Sequence, residues 1–182
     1  TKETQDSFYA MFDLCEELKV DKLYISHLVY SGRGKDNLEI DISKEQRKEY
    51  VEFIIDKAFE YYKNGNNIDL VTGNMEMDAI MLLNRFKKEY PDFVETLEEK
   101  LKTWGGNSAG HRLGNMDWAG NVKPDPFFPF VVGNYLQTPF DEIWTSTSNE
   151  ILNKLREHPR QIKGRCAQCK YIDICNGGSR SR

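Results

Sequence analysis

KLYISHLVYSGRG, residues Lys22 to Gly34, runs a block rich in β-branched, leucine and tyrosine side chains into a loop carrying two glycines. That composition reads as a buried strand over Lys22–Tyr30. The neighbours set the class. Upstream, Phe8, Met11, Phe12, Cys15 and Leu18 recur at spacings of three and four and predict an amphipathic helix over 6–19. Downstream, Ser43 with Gln46 has the form of a capping box and opens a predicted helix to about Lys63. Val51, Ile54, Ile55, Ala58 and Tyr62 form its apolar stripe, and Asn64-Gly65 ends it. Ile68–Thr72 predicts a second strand, followed by Gly73-Asn74. A further helix then runs from Met77 to Tyr90, where Pro91 stops it. Helix–strand–helix–strand–helix with short connections is the repeat of a parallel α/β sheet or barrel. Two parallel strands neither close a barrel nor cover themselves, so the sheet is expected to continue outside this chain.

Past residue 92 the character changes. Asp92–Trp104 predicts one more helix, and Gly105-Gly106-Asn107-Ser108-Ala109-Gly110 a glycine-rich loop. Arg112–Trp118 and Asn121–Lys123 flank Ala119-Gly120 as a β-hairpin. Pro124, Pro126 and Pro129 break regular structure. Thr138 is expected to cap a short helix through Trp144 with Pro139 at its first position, and Ser148 another through Glu157.

The net charge of -4 takes weight from nucleic-acid binding, which favours a basic face. No apolar run reaches the roughly 18 residues of a membrane span, and no signal-peptide pattern opens the chain. A cytoplasmic protein is expected. The chain starts at Thr1 without Met and ends in Ser-Arg-Ser-Arg, so both ends read as cuts.

Chemistry concentrates at the end, in Gly164-Arg165-Cys166-Ala167-Gln168-Cys169-Lys170-Tyr171-Ile172-Asp173-Ile174-Cys175-Asn176-Gly177-Gly178. Two residues between Cys166 and Cys169 let a tight turn aim both sulfurs at one centre, and nearby glycines relieve crowding. Three thiolates are one short of a closed zinc or 4Fe–4S site. On spacing alone the metal is zinc or iron–sulfur, and His158 is a possible further ligand. Cys15, on the apolar face of its helix, is packing.

Three segments stand in order: Gly114–Pro124 (GNMDWAGNVKP), Gly133–Trp144 (GNYLQTPFDEIW) and Gly164–Arg182 (GRCAQCKYIDICNGGSRSR). Together they resemble the SPASM/Twitch region of radical S-adenosylmethionine (SAM) enzymes. Tyr24–Gly34 resembles the late barrel strand and loop of the subgroup that acts on sirohaem-derived tetrapyrroles, in d-type haem synthesis and the alternative haem pathway. The Gly105–Ser108 loop and Pro124-Asp125 resemble the same subgroup, whereas peptide-modifying relatives have Pro-Cys at the latter place.

The resemblance implies that residues 1–91 are the last strands and helices of a partial (β/α) barrel. Residues 92–182 would be a small α+β Twitch-like domain, incomplete at its C-terminus. It further implies an auxiliary 4Fe–4S cluster on Cys166, Cys169 and Cys175. The resemblance also implies SAM and a SAM-binding 4Fe–4S cluster in the intact protein, with ligands expected before Thr1, and a fourth auxiliary cysteine expected beyond Arg182. The implied partners are a tetrapyrrole substrate and an electron donor such as ferredoxin or flavodoxin. No nucleic acid or membrane partner is expected. Other readings are a peptide-modifying enzyme and a zinc-stabilised binding module without catalysis.

Further candidates carry bland readings beside the functional ones. Arg33 and Asn74 follow strand ends, where α/β barrels keep their active-site mouth. Arg33 is either a loop arginine or a partner for a carboxylate, and Asn74 a helix cap or a site residue. His27 reads as a satisfied core histidine. The loop of Asn107 and Ser108 is suited to offering N–H groups to an anion, and His111 beside it to meeting a substrate acid or iron. Asp125, where relatives place a cluster cysteine, is a turn residue or an oxygen ligand. Trp104, Trp118 and Trp144 read as core.

Overall fold

The computed structural model describes residues 1–73 and 75–178. They form a mixed α/β chain of two compact units, Thr1–Arg85 and Phe86–Arg182.

In the first unit a 3₁₀ turn, Gln5–Ser7, leads into α1 (Phe8–Glu17). Phe12 and Cys15 are buried, but Met11 and Leu18 of the expected face stand 43% and 63% exposed. The aromatic side chains of α2 (Lys44–Asn64) select the narrower line. Phe8 stacks on Tyr50 at 3.9 Å, and Phe12 meets Phe53 edge-on at 5.1 Å. The capping box of α2 is complete: Ser43 Oγ accepts the Gln46 N–H and Gln46 Oε1 accepts the Ser43 N–H, each at 3.1 Å. Left-handed Gly65 closes the helix.

The buried stripe of α2 is Val51, Ile54, Ile55 and Tyr61, whereas Ala58 and Tyr62 face outward. Tyr61 wins over Tyr62 because its hydroxyl reaches Glu16 Oε1 at 2.8 Å. Burial and then this bond raise the Tyr61 pKa, and the same bond lowers that of Glu16.

β1 (Lys22–Ser26) pairs in parallel with β2 (Asp69–Gly73), from Lys22↔Asp69 to Ser26↔Gly73. The expected nine-residue buried strand is thus corrected to five residues with alternating burial. Leu23 and Ile25 are half-buried, and Lys22, Tyr24 and Ser26 are exposed. The two strands have no other strand neighbour among the described residues. His27 donates its N–H to the Gly73 carbonyl at 3.1 Å, and its Nε2 meets Asp78 Oδ2 at 2.8 Å, so it is the satisfied histidine expected. Cys15, Tyr61 and Ile68 form a small core with Val20, Leu23 and Leu70 around them.

Helix α3 (Met77–Glu89) carries the chain from one unit into the next. In the second unit Pro91–Phe93 is a 3₁₀ turn, which delays α4 to Val94–Trp104. The expected hairpin is there, narrowed to β3 (Asn115–Met116) and β4 (Asn121–Lys123), and β5 (Gly133–Asn134) adds a third antiparallel strand. Asp117 holds the turn, with Oδ1 accepting the N–H groups of Ala119 and Asn121 at 3.0 Å. The Asn121 amide, and then these N–H bonds, lower the Asp117 pKa.

α5 (Phe140–Thr145) starts from Pro139, and Thr138 makes no capping bond. α6 (Glu150–Arg156) is capped by Asn149, not Ser148, whose hydroxyl is held by Ser146 at 2.9 Å. One turn of helix, α7 (Ile172–Cys175), comes last. Val122, Leu152 and Ile174 are among the most deeply buried apolar side chains of this unit. Of the three tryptophans, Trp118 is 98% and Trp104 44% exposed, so the expectation that they belong to the core is wrong, and Trp144 is half-buried. No described helix is long and apolar enough to cross a membrane.

Candidate metal centre

The cysteine segment is a chain of backbone turns. Gly164–Gln168 forms a 3₁₀ turn. Cys169 donates its N–H to the Cys166 carbonyl at 3.2 Å, and Ile172 to the Cys169 carbonyl at 3.1 Å. Cys175 ends α7, and Gly178 donates to its carbonyl at 3.1 Å. Each turn is local, which is why short spacing alone suffices to fold it. Ile174, 2% exposed, pins the segment into the unit. None of the three is in a disulfide; Cys166 is exposed and Cys169 and Cys175 are half-buried.

As a donor set these residues fit an iron–sulfur cluster in kind: soft, reduced thiols presented by consecutive turns. They are not drawn together, since no three metal-ligating side chains converge among the described residues. His158 is exposed and belongs to no such group.

The glycine-rich loop lies against this segment. Gly106 has φ +70°, and a Cβ there would come within 2.4 Å of the Cys175 carbonyl oxygen. Only glycine permits that approach. Within the loop, Asn107 Oδ1 accepts the Ala109 N–H at 3.0 Å. The Ser108 carbonyl accepts the N–H groups of His111, Arg112 and Leu113 at 3.0 to 3.1 Å. Gly110 donates to Leu113 and Pro124. The N–H groups from Ala109 to Leu113 are therefore spent inside the unit, and none of these five is left for an anion.

Asn107 and His111 line one cavity of about 230 Å³ in the second unit, together with His158. Asp125 is 4% exposed, and its Oδ1 accepts the Phe127 N–H at 2.7 Å, so it organises its own turn. Arg33 sits in the first unit on the 3₁₀ stretch Gly32–Ile40, exposed, its carbonyl accepting from Asn37 Nδ2 at 2.9 Å. Asn74 lies outside the described residues.

Sequence reasoning missed Arg160. It is 2% exposed and donates to the carbonyls of Leu155 at 2.7 Å, Asn107 at 3.1 Å and Ala109 at 3.3 Å. Its N–H goes to Asn176 Oδ1 at 2.7 Å. Loop, helix end and cysteine segment are thus joined by one residue. No local pattern marks such a residue, because most of its partners, Asn107, Ala109 and Asn176, are far away in the chain.

Comparison with known proteins finds relatives along the whole chain. The whole chain aligns with the pre-heme d1 synthase of Dinoroseobacter shibae, 37% identical over 185 residues and covering 46% of that protein. It is 35% identical over 177 residues to the Fe-coproporphyrin III synthase of Methanosarcina barkeri, with 95% of the chain and 44% of that protein aligned. An AdoMet-dependent heme synthase of the same organism is 27% identical over 183 residues, covering 97% of the chain and 48% of that protein. The chain spans about half the length of the curated relatives it matches. No family profile and no solved structure matches it. This chain is a homologue of the radical SAM enzymes of haem biosynthesis, over about half of their length.

Proposed function

We propose that the chain is the C-terminal portion of a radical SAM enzyme of haem biosynthesis. In this reading the intact protein is cytoplasmic and removes propionate-derived side chains from a sirohaem-derived tetrapyrrole. Residues 1–91 are the closing part of a partial (β/α) barrel, and residues 92–182 a Twitch-like domain. SAM and its own 4Fe–4S cluster are held by residues outside this chain, and a ferredoxin or flavodoxin supplies electrons.

The observation that carries the reading is the run of cysteines outside any disulfide, Cys166, Cys169 and Cys175, on successive turns, backed by the Gly106–Cys175 contact. These three residues would hold the auxiliary 4Fe–4S cluster. Bound there, it would supply electron transfer or a docking point for substrate. The chain's own part is positional. Ile174 and the local turns orient the thiols, the glycine loop shields the Cys175 side, and Arg160 fixes loop to segment.

The test is metal and sulfide analysis of anaerobically purified protein. The expected result is brown material with about four iron and four sulfide per chain, lost stepwise in Cys→Ser variants at 166, 169 and 175. Colourless protein with stoichiometric zinc would overturn it.

A further inference from the structure

The cavity of the second unit is built for negative charge. Lys102, Arg112 and Arg156 line it with His111 and His158, and no acidic residue does among those described. Lys102 is answered by Glu98 at 2.9 Å. The two arginines are fixed differently. Arg112 donates to the main-chain oxygen of Trp104. Arg156 donates to those of Gly110 at 2.8 Å and Trp144 at 2.6 Å. Carbonyl oxygens lock the guanidinium planes without cancelling their charge. Neither arginine pairs with a carboxylate, and neither imidazole has a hydrogen-bond partner, among the described residues.

Two uncompensated guanidinium groups in a partly enclosed space repel a metal cation and favour an anion. Donors left over on both suit an oxyanion best. The volume of about 230 Å³ is below the roughly 300–1,000 Å³ of sites that enclose a drug-sized ligand. It admits a carboxylate on a short alkyl arm and leaves a large ring outside.

We propose that this cavity is a carboxylate-arm subsite, with Arg112 and Arg156 as its charged anchors and His111 and His158 flanking them. The assignment of the arm to a substrate rests on the tetrapyrrole reading above, because a tetrapyrrole carries such arms on a body too large to enter.

The chain has three histidines, so it gives three imidazole signals by NMR. His27, bonded to Asp78, belongs to the first unit and serves as internal control. Propionate added to the full chain is expected to shift His111 and His158 saturably and leave His27 in place. Propionamide, the neutral counterpart, is expected to do neither. Arg112→Gln should weaken propionate binding about tenfold. Arg112→Lys, which keeps the charge, should bind more tightly than Arg112→Gln, so that damage to the loop is told apart from loss of charge. Equal effects of propionate and propionamide, or no saturable shift, would overturn the subsite.

A second pair of probes is coproporphyrin III and its tetramethyl ester. If both bind alike and the imidazoles stay still, the subsite is wrong and the tetrapyrrole reading survives. If propionate binds but coproporphyrin does not, the subsite stands and the tetrapyrrole reading falls.

Discussion

Arg160 and Asn107 are 53 residues apart in sequence, and the guanidinium of the first donates to the main-chain oxygen of the second at 3.1 Å. The same group reaches Leu155 and Ala109, and the Arg160 backbone is received by Asn176, next to Cys175. A buried cation with several carbonyl acceptors holds one geometry, since each acceptor would be left unsatisfied without it.

Arg160→Met should therefore cost about 3 kcal/mol or more, the scale for removing a buried, charged hydrogen-bond donor. Urea denaturation of metal-free protein measures this apart from any metal. Iron per chain should fall in the same variant. Arg160→Lys keeps the charge but not the fork, and should lie between the two.

Gly106 and Gly105 share positive φ but differ in surroundings. A Cβ at Gly105 meets nothing closer than His158 Nε2 at 3.5 Å, whereas one at Gly106 strikes the Cys175 carbonyl. Gly105→Ala should cost about 1 kcal/mol for the left-handed backbone alone. Gly106→Ala should cost clearly more and lower iron content, because backbone has to move. Urea midpoints and iron analysis of the two variants, side by side, check this.

Asp125 offers its carboxylate to the Phe127 N–H. Asparagine can accept the same bond without an anionic oxygen for iron. Asp125→Asn should keep both stability and iron content, while Asp125→Ala should lose about 1 kcal/mol with the turn bond. Loss of iron in the asparagine variant would instead identify Asp125 as a ligand.

Asp41 gives a pH dependence. Burial works to raise its pKa, but the hydrogen bond from Tyr30 and the Arg47 charge outweigh that and hold it low. A folded-state value below the unfolded one of about 3.9 means stabilisation present above that pH and lost as pH falls through the folded value. Asp41→Asn should be less stable at neutral pH by about 1–2 kcal/mol, with a shallower loss below about pH 4. Urea midpoints across pH check both.

How much was legible depended on reach along the chain. The Ser43–Gln46 box was read correctly because both partners lie within one turn. The α2 stripe was assigned to Tyr62 because spacing alone cannot tell it from Tyr61, which Glu16 decides from another helix. The strand at Lys22 was read too long, since composition says nothing of how far pairing with β2 runs. β5 carries only Gly133-Asn134 and no strand signal, and it exists because Val122 pairs with Gly133. The thiols at 166, 169 and 175 stood out by spacing, while Arg160 acts mostly across long range. The charged cavity was half legible: Asn107 and His111 were singled out, but Arg112 and Arg156 look like any surface arginine until the fold gathers them.

The ribbon of β1 and β2 has a practical consequence. Each strand has one flank whose amides and carbonyls meet no other strand among the described residues, and Tyr24 stands 59% exposed on its face. Such a flank is a template for copies of itself. Lys22 and Asp69, which open the two strands 3.7 Å apart, act as gatekeepers against fibrous stacking. Neutralising that pair should make concentrated preparations turn cloudy long before they unfold.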